Sequence, residues 1–366
     1  MTDDRTNGAV ERNVDLDVGD GRPLGLFVGL STFDAIYRVR SPPNGDEKIV
    51  ADALVTAAGG PATGAAVTFA HLGGRAVLLS AVGTGPLAEA VRSELATLGV
   101  EHLDLSPNEP ALPVSSIMIS TPGGQRAVVS AHGQQETVPE VSGVPGTGVP
   151  RDRARDGRPG RPAAGARRTA LGLLAQAAVV LVDGHQAAVA EEVLTALSAR
   201  ADPRRRPLVV FDGGSWKPGT QRLLAHVDAA VCSAAFHPPT VTRGGTTDRL
   251  RYLLAHGPSF AAVTAGAEAI RWADARGGAG EIRPPAVPVV DTLGAGDVLH
   301  GAFAWALARS AHSPDSAGPI NAGPINVDPA AALAAATQVA ARSIGSFGTR
   351  EWMGQSGSSR SGSSRR

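Results

Sequence analysis

Val289-Val-Asp-Thr-Leu-Gly-Ala-Gly-Asp-Val-Leu-His-Gly-Ala-Phe-Ala-Trp-Ala-Leu307 joins a β-rich run to a set of small residues and then to a strong helical pattern. Val298, Leu299, Ala302, Phe303, Ala306 and Leu307 recur at one-turn spacing, so one face of this helix goes to a core. That register puts Gly294, Ala295, Gly296 and Asp297 at the helix N-terminus, where backbone N–H groups have no intrahelical partner. Glycine lets the backbone approach an anion closely, and the N-terminal dipole favours negative charge growing on a transferring phosphoryl group. Asp297, in the first turn, is placed to accept the proton of an attacking hydroxyl. An isolated Gly-x-Gly-Asp reads better as a turn followed by a helix-start acid, so the rest of the chain has to decide.

Upstream, short β-rich runs alternate with helical segments, which predicts a mostly parallel central sheet flanked by helices. Leu26-Phe-Val-Gly-Leu30 reads as a buried strand, and strands recur at Ala76 to Ser80, Ala178 to Val182, Pro207 to Phe211, Ala229 to Val231 and Phe260 to Thr264. Pro61 suits the first turn of a helix that ends at Gly73-Gly74, Pro86 and Gly99 bracket the next, and Ala187 to Arg200 forms another. Ser115 to Ser120 and Gln125 to Ser130 have a different texture: two β runs around the turn-forming Thr121-Pro-Gly-Gly124, a hairpin suited to a small β lid over the sheet.

Composition narrows the function. At 366 residues and 43% hydrophobic content the chain can bury a sizeable core. Lys plus Arg and Asp plus Glu both total 34, so the positive excess that favours nucleic acid or an anionic membrane is missing, and neither is expected as a partner. A small neutral substrate is easier to accommodate. Cys232 is the only cysteine, which excludes an intramolecular disulfide and a cysteine-rich zinc site and fits a reducing compartment. The start, Met1 to Gly8, has no apolar h-region, and no run approaches the roughly 20 apolar residues of a membrane helix, so a cytoplasmic location is expected.

Several segments agree in order and spacing with one family. Asp291-Thr-Leu-Gly-Ala-Gly-Asp297 resembles the C-terminal signature of ribokinase-like (PfkB) carbohydrate kinases. Gly29-Leu-Ser-Thr-Phe-Asp34 and Ala58-Gly-Gly-Pro-Ala-Thr-Gly-Ala-Ala-Val-Thr-Phe-Ala-His-Leu-Gly73 resemble its N-terminal strand and Gly-Gly loop, and Val263-Thr-Ala-Gly266 resembles the border of the adenine and ribose. The resemblance implies a ribokinase-like α/β fold and ATP-dependent phosphorylation of a sugar hydroxyl. Asp297 is then the general base, with Gly294, Ala295 and Gly296 as the anion hole. Asp34, Gly59 and Gly60 bind the sugar, with Arg126 on the hairpin as an outside contact. Ser233, Thr264 and Gly266 face the nucleotide, and Asp291 organises a monovalent cation. ATP, Mg²⁺ and K⁺ are the implied small partners, and a homodimer the implied assembly.

The expected organisation is a flexible N-terminus over 1–23, a kinase domain over 24–350 and a flexible tail over 351–366. Within the domain, lid segments fall at about 34–55 and 113–132, a Pro/Gly/Arg-rich insert at about 141–168, and a loop insert with the tandem Ala-Gly-Pro-Ile-Asn repeat at about 313–329. The chain departs from the family pattern in three places. Gly64 stands where the family usually has a substrate-touching asparagine, Gly83-Thr-Gly-Pro86 lacks the common Gly-x-Asp, and Ser233-Ala-Ala-Phe236 replaces Asn-x-x-Glu. Two rival readings follow: a nucleoside or sugar-phosphate kinase of the same family, and a non-catalytic sugar-binding regulator.

Overall fold

The computed structural model describes residues 21–131, 161–199, 206–241, 244–312 and 328–355. The N-terminal segment before residue 21 and the loop insert at 313–327 lie outside the described residues.

The central sheet begins with β1 (Leu24–Val28), which is buried along its whole length. Its side chains divide with the strand's period of two: Phe27 joins one core, and Leu24, Leu26 and Val28 join the other. Burial on both faces is what a parallel sheet with helices on each side requires. The remaining strands are β4 (Arg75–Ser80), β5 (Val100–Asp104), β8 (Ala177–Val182), β9 (Leu208–Gly213), β10 (Ala229–Ser233), β11 (Phe260–Thr264), β12 (Ile270–Asp274) and β13 (Ala279–Ile282). Their order is β13-β12-β11-β10-β9-β8-β1-β4-β5, parallel from β5 to β11 and antiparallel at β12 and β13. The chain winds outward in both directions from β1, so a crevice opens beyond the C-terminal ends of β1 and β8.

Helices α1 (Pro61–His71), α2 (Pro86–Thr97), α7 (Ala295–His312) and α8 (Pro329–Ser343) build one side of the sheet, with α1 and α8 both packed on α7. Phe27 and Phe69 meet edge to face there at 5.3 Å, a pairing worth about 0.5–1.5 kcal/mol beyond its buried area. The other side carries α3 (Arg161–Leu173), α4 (Ala187–Ser198), α5 (Thr220–Leu224) and α6 (Thr246–Ala255). A second sheet, ordered β3-β2-β6-β7, consists of β2 (Thr32–Val39), β3 (Ala53–Gly59), β6 (Val114–Ser120) and β7 (Arg126–Ser130). Its inner face contributes Ile36, Ala57, Ile117 and Ile119 to a small core of its own, against Leu293 and Phe347.

Two expected boundaries move. The insert at about 141–168 gives way to helix α3 from Arg161, because Ala170 and Leu173 are buried and Arg167 pairs with Glu192 at 2.9 Å. Of the tail expected over 351–366, Glu351–Gln355 forms a 3₁₀ turn that buries Trp352 against His71, and residues 356–366 lie outside the described residues.

Candidate active site

The first turns of α1 and α7, the small sheet and the C-terminal segment converge on one pocket of about 320 Å³. Asp34, Ala58 and Gly59 line it from the small sheet, Gly64 from α1, Leu293, Gly294, Asp297 and Val298 from α7 and its approach, and Thr349 and Arg350 from the C-terminal segment. The structure therefore brings Asp34, Gly59, Gly294 and Asp297 together, although 263 positions separate the first and last of them in sequence.

Each polar group is held by its neighbours. The two oxygens of Asp291 accept the backbone N–H groups of Leu293 and Gly348, both at 2.8 Å, which joins the approach to α7 to the C-terminal segment. Gly294 takes a left-handed φ of 72° to turn the chain into the helix. Thr292 donates its hydroxyl to the carbonyl of Gly124 at 2.9 Å, and Arg126 donates to the carbonyl of Thr292 at 3.3 Å, so the hairpin tip rests on this approach. Arg126 does not line the pocket, but its charge reaches both Asp297 and Asp291. Gly60 packs against the Leu30 carbonyl, and Asp183 accepts the N–H groups of Leu30, Ala62 and His185 at 2.9, 3.1 and 2.8 Å. That buried carboxylate clamps the end of β1 to the start of α1.

Gly64 has a physical reason to be glycine: a Cβ there would lie 2.6 Å from the Cβ of Asp297 and 2.8 Å from its Oδ2. The space an asparagine would use belongs to the Asp297 carboxylate. Gly59 likewise lies against Asp34, and a Cβ on it would fall onto that carboxylate.

The electrostatics of the two acids differ in kind. Burial raises the pKa of Asp34, partly offset by hydrogen bonds from Thr32, at 2.6 Å, and Ser115. Asp297 is partly open to the pocket, yet its pKa is pushed up to about 7. Desolvation is the main cause, the negative charge of Asp212 adds to it, and His300 and Arg126 act against it. Asp34 raises it slightly further.

The ends of β10 and β11 form a more open region. Thr264 closes β11, and Gly266, with φ 64°, faces open space. Ser233 ends β10, but its hydroxyl donates to the carbonyl of Gly214 at 2.6 Å and accepts the N–H of Ala235 at 3.1 Å. Three residues on, Phe236 packs among Phe211 and Trp216 in the core instead of presenting an acid. Ser233, Thr264, Gly266, Ala295, Gly296 and Gly60 are thus outside the pocket lining, at the same edge of the sheet or in the adjoining turns. Among the described residues no group of His, Cys, Asp or Glu is arranged to hold a metal ion, and no helix is long and apolar enough to cross a membrane.

Sequence reasoning missed Thr349, Arg350 and His300. Arg350 bonds the Glu94 carboxylate at 3.1 Å and the Ala58 carbonyl, contacts across 256 and 292 positions that no local pattern signals.

The comparisons with known proteins agree with this fold. A protein described as a candidate ribokinase from Agrobacterium tumefaciens superposes with a TM-score of 0.67 at 26% identity, over 92% of this chain and 98% of that one. Arabidopsis thaliana ribokinase, solved with ribose and ATP, gives 0.61 at 19% over 89% and 94%. Phosphofructokinase-2 of Escherichia coli, solved with potassium, gives 0.61 at 16% over 90% and 94%. The sequence matches the family described as pfkB family carbohydrate kinase over residues 25–137 and 151–354, nearly the whole chain, and this protein belongs to that family.

Proposed function

We propose that this protein transfers the γ-phosphoryl group of ATP to a hydroxyl of a neutral sugar. The observation that carries the reading is the placement of Asp297: a carboxylate in the first turn of a helix, lining one pocket together with Asp34. Asp34 orients the sugar by accepting hydrogen bonds, and the Gly59-Gly60 turn forms the floor on which it rests. Asp297 takes the hydroxyl proton as the oxygen attacks the γ-phosphorus. The bond to the bridging oxygen breaks, and ADP leaves with the electron pair. The N–H groups of Gly294, Ala295 and Gly296 stabilise the equatorial oxygens, since phosphoryl transfer depends mainly on positioning and charge stabilisation.

The donor would lie along Ser233, Thr264 and Gly266. With the Ser233 hydroxyl already committed to Gly214, its part there is to shape the loop. Mg²⁺ fits as a companion of the phosphates, where it would neutralise their charge. Asp291 is the residue we assign to a monovalent cation: each oxygen of this buried carboxylate accepts one backbone N–H and keeps a second lone pair for it.

Charge favours a neutral acceptor over a sugar phosphate. Arg350, the cation lining the pocket, is paired with Glu94 at 3.1 Å, while Asp34 and Asp297 both face the acceptor. The test is ATP consumption with Mg²⁺ and K⁺ across ketohexoses, pentoses, aldohexoses, nucleosides and sugar phosphates. Turnover with neutral sugars, lost in Asp297→Asn, is the expected result. Sugar binding without turnover across the whole panel would favour a regulatory protein instead.

A further inference from the structure

One turn beyond Asp297 on α7, His300 is buried, and the polar partners of both its ring nitrogens are acceptors. Nε2 lies 2.9 Å from the carbonyl of Val231 on β10. Nδ1 lies 2.7 Å from the carbonyl of Gly296 and 3.2 Å from Oδ2 of Asp212, at the end of β9. A neutral imidazole carries one N–H and would turn a lone pair toward a carbonyl on its other side. An imidazolium donates at both nitrogens and satisfies all three partners.

We propose that His300, held as an imidazolium between Asp212, Gly296 and Val231, is a positioning residue that anchors the first turn of α7 to the sheet and screens Asp297 from the buried charge of Asp212. The inference rests on Asp297 as the base and adds a second layer beneath it. Gly296 contributes to the anion hole through its N–H, and the same residue's carbonyl is fastened to His300. The anion hole and the base therefore share one fixed point on β9 and β10.

The charges around the pair define the expected pH response. Asp297 is faced by Asp212 from β9, Arg126 from β7, Asp34 from β2 and His300 from its own helix. Asp212 is faced by His300, by Asp183 and His185 beyond β8, and by Lys217 in the loop after β9. Replacing His300 with a neutral residue leaves Asp212 uncompensated, which disfavours the Asp297 carboxylate. The acid limb of the turnover profile then moves to higher pH. Removing Asp212 as well takes away the repulsion, and the limb returns.

The experiment compares pH profiles of turnover for the wild type, His300→Gln and the double variant His300→Gln/Asp212→Asn. Alongside, ¹⁵N-histidine NMR of the wild type follows the His300 ring, assigned by its contact with Val231. We expect both ring nitrogens protonated at neutral pH, a limb shifted upward by about one pH unit in His300→Gln, and recovery of most of that shift in the double variant. A ring with one bare nitrogen overturns the inference even if His300→Gln does not fold. So does a limb that stays in place while turnover falls, the mark of a purely structural part. Those failures differ from failure of the base: if Asp297→Asn keeps its turnover, the reading of Asp297 falls, whatever His300 does.

Discussion

The acceptor pocket and the strand ends of β10 and β11 sit at the same edge of one sheet and are built to different tolerances. In the pocket, Gly64 touches Asp297 and Gly59 touches Asp34 so closely that neither position has room for a methyl group. At the strand ends, Gly266 faces open space, and Phe236 occupies with core packing a place where relatives carry an acid. The difference follows from the chemistry each region is proposed to do. A proton and a phosphoryl group must travel between atoms fixed to a fraction of an ångström, whereas an extended nucleotide can be held by backbone groups and charge contributed by many positions. Departures from the family pattern therefore mean different things in the two regions: Gly64 is a fitted replacement, and Ser233 to Phe236 a relaxed one.

Substitutions can break this contrast, the largest effect first. Asp297→Asn keeps the shape and removes the base, and turnover should drop by about 10²–10⁴-fold with ATP affinity little changed. Equal losses in turnover and nucleotide affinity would place Asp297 in the nucleotide site instead. Gly64→Asn, which restores the residue usual in relatives, should cost about tenfold to a hundredfold in kcat, since a side chain 2.6 Å from the Asp297 Cβ must displace that carboxylate. An unchanged or higher kcat would show that the pocket adjusts freely. Ser233→Ala should change the KM for ATP by no more than about threefold, since its hydroxyl bonds the chain and leaves little to offer a ligand. A larger loss would mean that the loop it holds is as tightly specified as the acceptor side.

What the sequence made legible was local. The period of Val298 to Leu307 located α7 and put Asp297 at its start, and apolar runs located the parallel strands except β5, because burial writes itself into spacing. The shared pocket of Asp34, Gly59 and Asp297 was reached through resemblance, since the 262 residues of chain between first and last carry no sign of their meeting. Other features were hidden for identifiable reasons. The antiparallel pair β12 and β13 is half exposed and lacks a clean apolar alternation. Helix α3 starts inside an arginine- and proline-rich run, and only the burial of Ala170 and Leu173 shows its packing face. His300 read as one more position on a helix. Its importance depends on the carbonyl of Val231, 69 residues away, and on a carboxylate from another strand.

Proton removal from the acceptor depends on the state of the Asp297 carboxylate during transfer. The decisive measurement is the single-turnover rate of phosphoryl transfer, with ATP and the sugar both saturating, as a function of pH. A base whose pKa is raised to about 7 is ionised above that pH and protonated below it, so the rate should fall as pH drops through about 7 and hold level above it. A rate independent of pH between about 5 and 9, with chemistry shown to be the limiting step, would contradict the assignment of Asp297 as the base.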